Sequence, residues 1–371
     1  CDGHTINYGS VGHGYGINNT AGYDRLTVKN CNITKANRSD TSDENFGVKV
    51  FGGSDYLVIF NNTVSTYGNN SNMGLRLQSS INANISNNII YTNGSGTDNH
   101  GVYHTSSPTN AIYFNNTIYT NGIEQNIGMR ILSPNNLTIS YNKVYADSYS
   151  VIGGNSNNYG IYLQSVRNSI VSYNEVHNNG SGGDDGIYTI SDSQDNQIIN
   201  NVINISSDGV GIYVSDLQNS NVSNNVLRTQ SYAFRSSANS TGLKVFDNSF
   251  YNQDVGSWNS LVSGYLSELF NNTIEGLTGG VSIADSYNVT AYDNNINVTG
   301  TGLQLNDQMN SSVFNNTIYS ASRCVEIRDT SDGNKVYQNT IYNCTQHAFY
   351  LTVNEGVIIG SNTIYNNEII G

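Results

Sequence analysis

"NNTIY", residues 115–119, joins two amides to a β-branched pair and an aromatic ring, and it returns as "NNTIE" at 271–275 and "NNTIY" at 315–319. Looser copies read "NNTVS" at 61–65, "QNTIY" at 338–342 and "SNTIY" at 361–365. Aligning the second amide gives Asn62, Asn88, Asn116, Asn142, Asn174, Asn201, Asn225, Asn248, Asn272, Asn294, Asn316, Asn339 and Asn362, at steps of 22 to 32 residues. An earlier copy has Cys31 in the amide slot, before Ile33. Self-similarity of this length marks a repeat architecture.

A second landmark, Gly-apolar-x-apolar, precedes each amide by 14 or 15 residues: "GVKV" at 47, "GLRL" at 74, "GMRI" at 128, "GIYL" at 160, "GIYV" at 211 and "GLQL" at 302. A third apolar stretch lies between the two, as in "YLVIF" at 56–60. Each repeat thus holds three short segments with period-2 alternation, separated by Gly, Asn and Ser turns, and no segment has a helical period. The pattern predicts an all-β chain: a right-handed, single-stranded parallel β-helix with three strands per coil and about fourteen coils. One solenoid spans 1–371, with long connectors in coils 1–215 and compact coils in 216–371. The recurring amides then stack as a ladder at one turn, each donating to one neighbour and accepting from the other, so no buried polar group is stranded. Asn also tolerates the left-handed backbone of a sharp turn. Both ends enter or leave a coil directly, so the segment is expected to belong to a larger protein or to stack on another copy.

Composition narrows the function classes. Lys+Arg 15 against Asp+Glu 28 gives a net charge of −13, which argues against a nucleic-acid partner. The sequence has no apolar run of transmembrane length, so no membrane insertion is expected within the segment. The 62 Asn, read with Ser, Thr and Gly, carry solubility in place of charge.

The middle residue of each Gly-apolar-x-apolar strand is expected to face solvent. Down the chain it reads Lys49, Arg76, Tyr103, Arg130, Tyr162, Tyr188, Tyr213, Arg235, Asn259, Ser282, Gln304, Glu326 and Tyr350. Arg76, Tyr103, Arg130, Tyr162, Tyr188 and Tyr213 are the candidate surface for glycans or protein partners, since Arg binds acidic groups and Tyr offers stacking area; cross-strand packing is the plainer reading of the same stripe. "DNHGVYH" puts Asp98 and His100 in one coil between Arg76 and Arg130, a candidate set for proton abstraction beside a sugar carboxylate. His104 stands in an inward slot and reads as a core residue. Asp184 and Asp185 in "GGDDG" are weak Ca²⁺ candidates beside the reading of a solvated turn, and no other cofactor or metal is expected. Cys1 with Cys31, and Cys324 with Cys344, are candidate disulfides, which fit an oxidising compartment; stacked thiols are the alternative. Asn37, Asn69, Asn93, Asn136, Asn179, Asn239 and Asn288 begin loop sequons open to N-glycosylation in a secreted chain.

"CDGHTI…GYGI…LTVKNCNI" followed by repeated "GIYL…NNTIY" resembles the NosD-type right-handed β-helix repeats of archaeal and bacterial surface proteins, in the pectin-lyase-like superfamily. The resemblance implies the fold over essentially the whole chain. The superfamily includes polysaccharide lyases, hydrolases, uronate epimerases, adhesins and filament proteins. Its epimerases use Asp-Pro-His, where this chain has Asp98-Asn99-His100. The expected function is therefore an extracellular, cell-surface structural or adhesive segment that self-associates or meets other surface proteins. The alternatives are a carbohydrate-active enzyme on an acidic polysaccharide and a non-catalytic carbohydrate-binding module.

Overall fold

The computed structural model describes residues 1–9, 12–36, 43–148, 157–180, 183–237, 239–253, 258–319, 321–352 and 360–371. Among them there is no helix; short strands pair in parallel, coil upon coil, into three walls wound as a right-handed β-helix. Contacts divide the chain into two units, residues 1–197 with 204–208, and residues 198–203 with 209–371.

In the first unit a typical coil runs from the amide wall (Ile89–Gly94) to the glycine wall (His100–Thr105) and on to a short wall (Ile112–Phe114). Each pairs with the same wall of the next coil, at Thr117–Gly122, Met129–Leu132 and Thr138–Ser140. The second unit repeats the plan, for example with Thr273–Gly276, Gly279–Ala284 and Thr290–Tyr292. Alternation decides what is inside: Ile90, Val102, Tyr113, Ile118, Met129 and Ile139 are fully buried.

The paired amides divide their labour. The first takes the left-handed turn, with φ of 53°, 56° and 51° at Asn61, Asn87 and Asn115. The second is buried and forms the ladder. In the first unit it runs Cys31–Asn62–Asn88–Asn116–Asn142–Asn174, where the backbone N–H of each rung donates to the next Asn Oδ1 at 2.9–3.0 Å. In the second unit it runs Asn201–Asn225–Asn248–Asn272–Asn294–Asn316–Asn339–Asn367, each Nδ2 donating to the next Oδ1 at 2.9–3.0 Å. The final rung corrects the sequence reading. Asn362 is not in this ladder; it accepts from Asn334 at the corner before the short wall. "SNTIY" imitates the motif, but it feeds the short-wall strand Thr363–Tyr365, and the true rung lies in "NNEII".

The motif glycine has a steric cause. Gly101 N and Val102 N both donate to the next coil, to Ile127 O (3.0 Å) and Gly128 O (2.9 Å), which marks a bulge in which consecutive residues face inward. A Cβ at Gly101 would sit 2.2 Å from Ile118 Cγ2, and one at Gly128 would sit 2.2 Å from Val144 Cγ1 and 2.6 Å from Gly160 O. Gly128→Ala should therefore destabilise the first unit by about 2–3 kcal/mol in urea melts. Gly183→Ala, with open space around its Cβ, should change stability by less than about 0.5 kcal/mol.

Both candidate disulfides are formed, Cys1–Cys31 with Cα atoms 4.9 Å apart and Cys324–Cys344 with Cα atoms 5.8 Å apart. Each ties neighbouring coils within one unit.

Candidate functional site

The bulge sets the site. Because Gly101 and Val102 both turn inward, His100 and Tyr103 both lie on the outer face of the glycine wall. Strand pairing then places Lys49, Arg76, Tyr103, Arg130, Tyr162 and Tyr188 in one file, each opposite the next. From Arg76 to Tyr162 the file alternates cations and rings. Arg76 Cζ lies 4.1 Å from the Tyr103 centroid, and Arg130 Cζ lies 5.1 Å from Tyr103 and 5.5 Å from Tyr162. Lys49 Nζ stands 4.2 Å from the Tyr15 ring and 4.8 Å from Phe51. Tyr162 and Tyr188 stack at 5.6 Å. Guanidinium groups thus occupy the ring faces that a sugar would need, and what the file offers outward is N–H donors. Five of the candidate binding residues are brought together in this way. Tyr213 lies in the second unit, opposite Arg235.

His100 sits beside the file and is fully buried. Arg130 Nη1 is 3.4 Å from its Nε2, so the ring nitrogen accepts from the guanidinium. The other ring nitrogen, Nδ1, is buried without a hydrogen-bond partner, as is Arg130 Nε. Burial first, then Arg130 and Arg76, push the His100 imidazole down to about 3. Burial also lowers the Arg76 guanidinium, which donates to Thr105 Oγ1 at 3.2 Å. Asp98 does not join them. It takes a left-handed turn (φ 58°), its backbone N–H donates to Glu124 O, and its carboxylate forms no ion pair or hydrogen bond among the described residues. Of the four candidate catalytic residues the structure therefore assembles three and leaves out the carboxylate. His104 is a core residue, its Nδ1 2.5 Å from Tyr113 Oη, and burial likewise brings it down to about 3.

Burial corrects the reading of a solvated turn at Asp184 and Asp185. Asp184 is fully buried, and its Oδ1 accepts from Asn158 N (3.1 Å) and Nδ2 (2.9 Å). It closes a second amide file unread in the sequence. At the corner before the glycine wall, Lys35 Nζ donates to Asn45 Oδ1 (2.7 Å), Asn45 to Asn72 (2.8 Å) and Asn72 to Asn99 (2.8 Å). Further along, Asn126 donates to Asn158 and Asn158 to Asp184. Asp185 is buried as well, and among the described residues no three His, Cys, Asp or Glu are grouped to hold a metal. The exposure expected along the stripe holds at Arg235 but fails at three positions of the second unit. Ser282, Gln304 and Glu326 are buried and bonded end to end, with Arg323 Nη1 on Glu326 Oε1 at 2.9 Å. Of the sequon asparagines, Asn93, Asn136, Asn179 and Asn239 are exposed and Asn69 and Asn288 half-buried, while Asn37 lies outside the described residues.

Two family models match. One, described as periplasmic copper-binding protein (NosD), covers residues 203–371, and one described as right handed beta helix region covers residues 123–250. Residues 203–371 are thus similar to the NosD repeats, and residues 123–250 to the right-handed β-helix region. No curated protein matches it in sequence. Among solved structures, PfbA, a surface adhesin of Streptococcus pneumoniae, aligns with TM-score 0.51 and 12% identity over 80% of this chain and 85% of its own. The A-module of the Azotobacter vinelandii mannuronan C-5 epimerase AlgE6 aligns with TM-score 0.45 and 14% identity over 99% and 90%. A hyperthermoactive exopolygalacturonase from Thermotoga maritima aligns with TM-score 0.47 and 11% identity over 86% and 85%. At these identities the likeness is one of fold. The donors for copper do not fit. In residues 203–371 the soft donors reduce to Met309, His347 and the Cys324–Cys344 pair, whose sulfurs are bonded to each other. No step through copper follows for residues 203–371.

Proposed function

We propose that the chain is the β-helical segment of an extracellular structural or adhesive assembly, without catalysis of its own, and that the Lys49–Tyr188 file is its contact with acidic glycans. The carrying observation is the state of His100. An imidazole held near 3, with Nε2 engaged by Arg130 and no carboxylate behind it, is a poor general base, because efficient proton transfer needs a pKa near the working pH. The binding half of the reading is supported by charge: Lys49, Arg76 and Arg130 cluster on one face of a chain whose net charge is −13. The disulfides fit an oxidising compartment, and the exposed sequon asparagines fit secretion.

The test uses polygalacturonate and alginate. The intact chain should be retained on both as immobilised polymers. Retention should fall with salt and drop about tenfold in Arg76→Gln/Arg130→Gln, as expected for the loss of two charge-assisted contacts. Neither polymer should gain the absorbance of an unsaturated uronate or change its epimer ratio. Turnover that disappears in His100→Asn would overturn the non-catalytic reading, and salt-insensitive retention would overturn the assignment of the file.

A further inference from the structure

The outer face of the amide wall carries files of aromatic rings. In the first unit Tyr91, Tyr119, Tyr145 and His177 stack at 4.9, 4.8 and 5.0 Å with planes within 8°. Each ring covers its neighbour's face and presents only its edge to solvent. Such a continuous file has nothing to offer a flat ligand.

The corresponding file in the second unit is interrupted. Register sets Arg228, Tyr251, Glu275, Asn297, Tyr319 and Tyr342 opposite one another in succession. Arg228 covers one face of Tyr251 at 5.5 Å, and Tyr342 covers one face of Tyr319 at 4.9 Å. The two rungs between hold shorter, polar side chains, both exposed. The gap opens into two adjoining hollows that share Glu275 and Asn297: one of about 610 Å³ reaching Tyr251, Leu277 and Thr299, and one of about 280 Å³ reaching Tyr319. Three rung steps put the tyrosines about 14 Å apart, which leaves about 11 Å between ring faces once contact distance is subtracted.

We propose that this two-rung gap is a binding slot for a neutral hexose oligosaccharide, seated with a sugar face against Tyr319 or Tyr251 and its hydroxyls on Glu275 and Asn297. The chemistry selects the class. A tyrosine face takes the C–H face of a pyranose, whereas a carboxylate and a carboxamide on the floor accept from and donate to hydroxyls. Leu277, 52% exposed, adds apolar surface at one end. The carboxylate repels uronates, so this slot and the cationic file of the first unit select opposite ligands, and neither assignment rests on the other.

Titration calorimetry of the intact chain with cellotetraose, mannotetraose and tetragalacturonate tests it. At least one neutral tetramer should bind and tetragalacturonate should give no heat. Tyr251→Ala/Tyr319→Ala should weaken binding about tenfold, and Tyr251→Phe/Tyr319→Phe should keep it. Glu275→Tyr/Asn297→Tyr fills the missing rungs, preserves the fold by continuing the stack, and should abolish binding. Silence from both neutral tetramers, equal binding by the filled variant, or preference for tetragalacturonate would each overturn the proposal.

Discussion

Lowering the pH from 6.5 to 4.5 should destabilise the first unit by about 5 kcal/mol, through His100 and His104 alone. Both are fully buried and pushed down to about 3, His100 by burial followed by Arg130 and Arg76, His104 by burial followed by Arg76. An unfolded histidine takes up its proton near pH 6.5. Between the two values the unfolded chain binds more protons than the folded one, so stability is complete above pH 6.5 and falls as pH drops toward 3. Two groups give a slope of about 2.7 kcal/mol per pH unit. Urea midpoints for the parent and for His104→Gln, read at pH 7 and pH 4.5, check this. The single variant should lose about half as much on acidification, and His100→Gln/His104→Gln should be nearly flat. If the double variant loses as much as the parent, the acid sensitivity lies in the carboxylates and the burial argument for these two rings is wrong.

The walls and their order were legible because they rest on local periodicity: alternation marks the strands and the paired amide marks one corner. The ladder was legible for the same reason, with one error at the end, where Asn362 in "SNTIY" carries the motif's residues at a different corner. The second amide file has a sequence signal of its own. Asn45, Asn72, Asn99, Asn126, Asn158 and Asp184 each stand two residues before the motif glycine. What the sequence could not give is which outward positions are covered. His100 and Tyr103 share a face, yet one is fully buried and the other half-buried. The same holds for Glu326, buried on a face where alternation predicts exposure. Period-2 patterning assigns a side of the sheet; it carries no information about what folds over that side. The surroundings of Asp98 were illegible for a related reason. Proximity in "DNHGVYH" does not survive the left-handed turn at Asp98 and the bulge at Gly101, which send the carboxylate and the imidazole into different surroundings.

Replacing a fully buried rung of the ladder should cost far more than replacing a half-buried one. Asn272 Nδ2 donates to Val245 O (3.0 Å) and Asn294 Oδ1 (3.0 Å), while its Oδ1 accepts from Asn248 N and Nδ2, both at 3.0 Å. The side chain is 1% exposed, so no solvent replaces those partners. In Asn272→Leu the Asn248 N–H and the Val245 carbonyl are stranded in an apolar corner, at about 2 kcal/mol each, for a total near ~4 kcal/mol. Asn367 makes the equivalent bonds to Asn339 and Val336 but is half-buried. Asn367→Leu should cost only about 1 kcal/mol, because water can take over what it leaves. Cys31 fills an amide slot without an amide: its backbone N–H donates to Asn62 Oδ1 at 3.0 Å, a bond any residue there supplies. Both variants lie in the second unit, so denaturant melts followed there compare them directly. Equal losses at Asn272 and Asn367 would mean that the amides serve the turn alone, and that the hydrogen-bonded file down the corner contributes nothing cooperative to the solenoid.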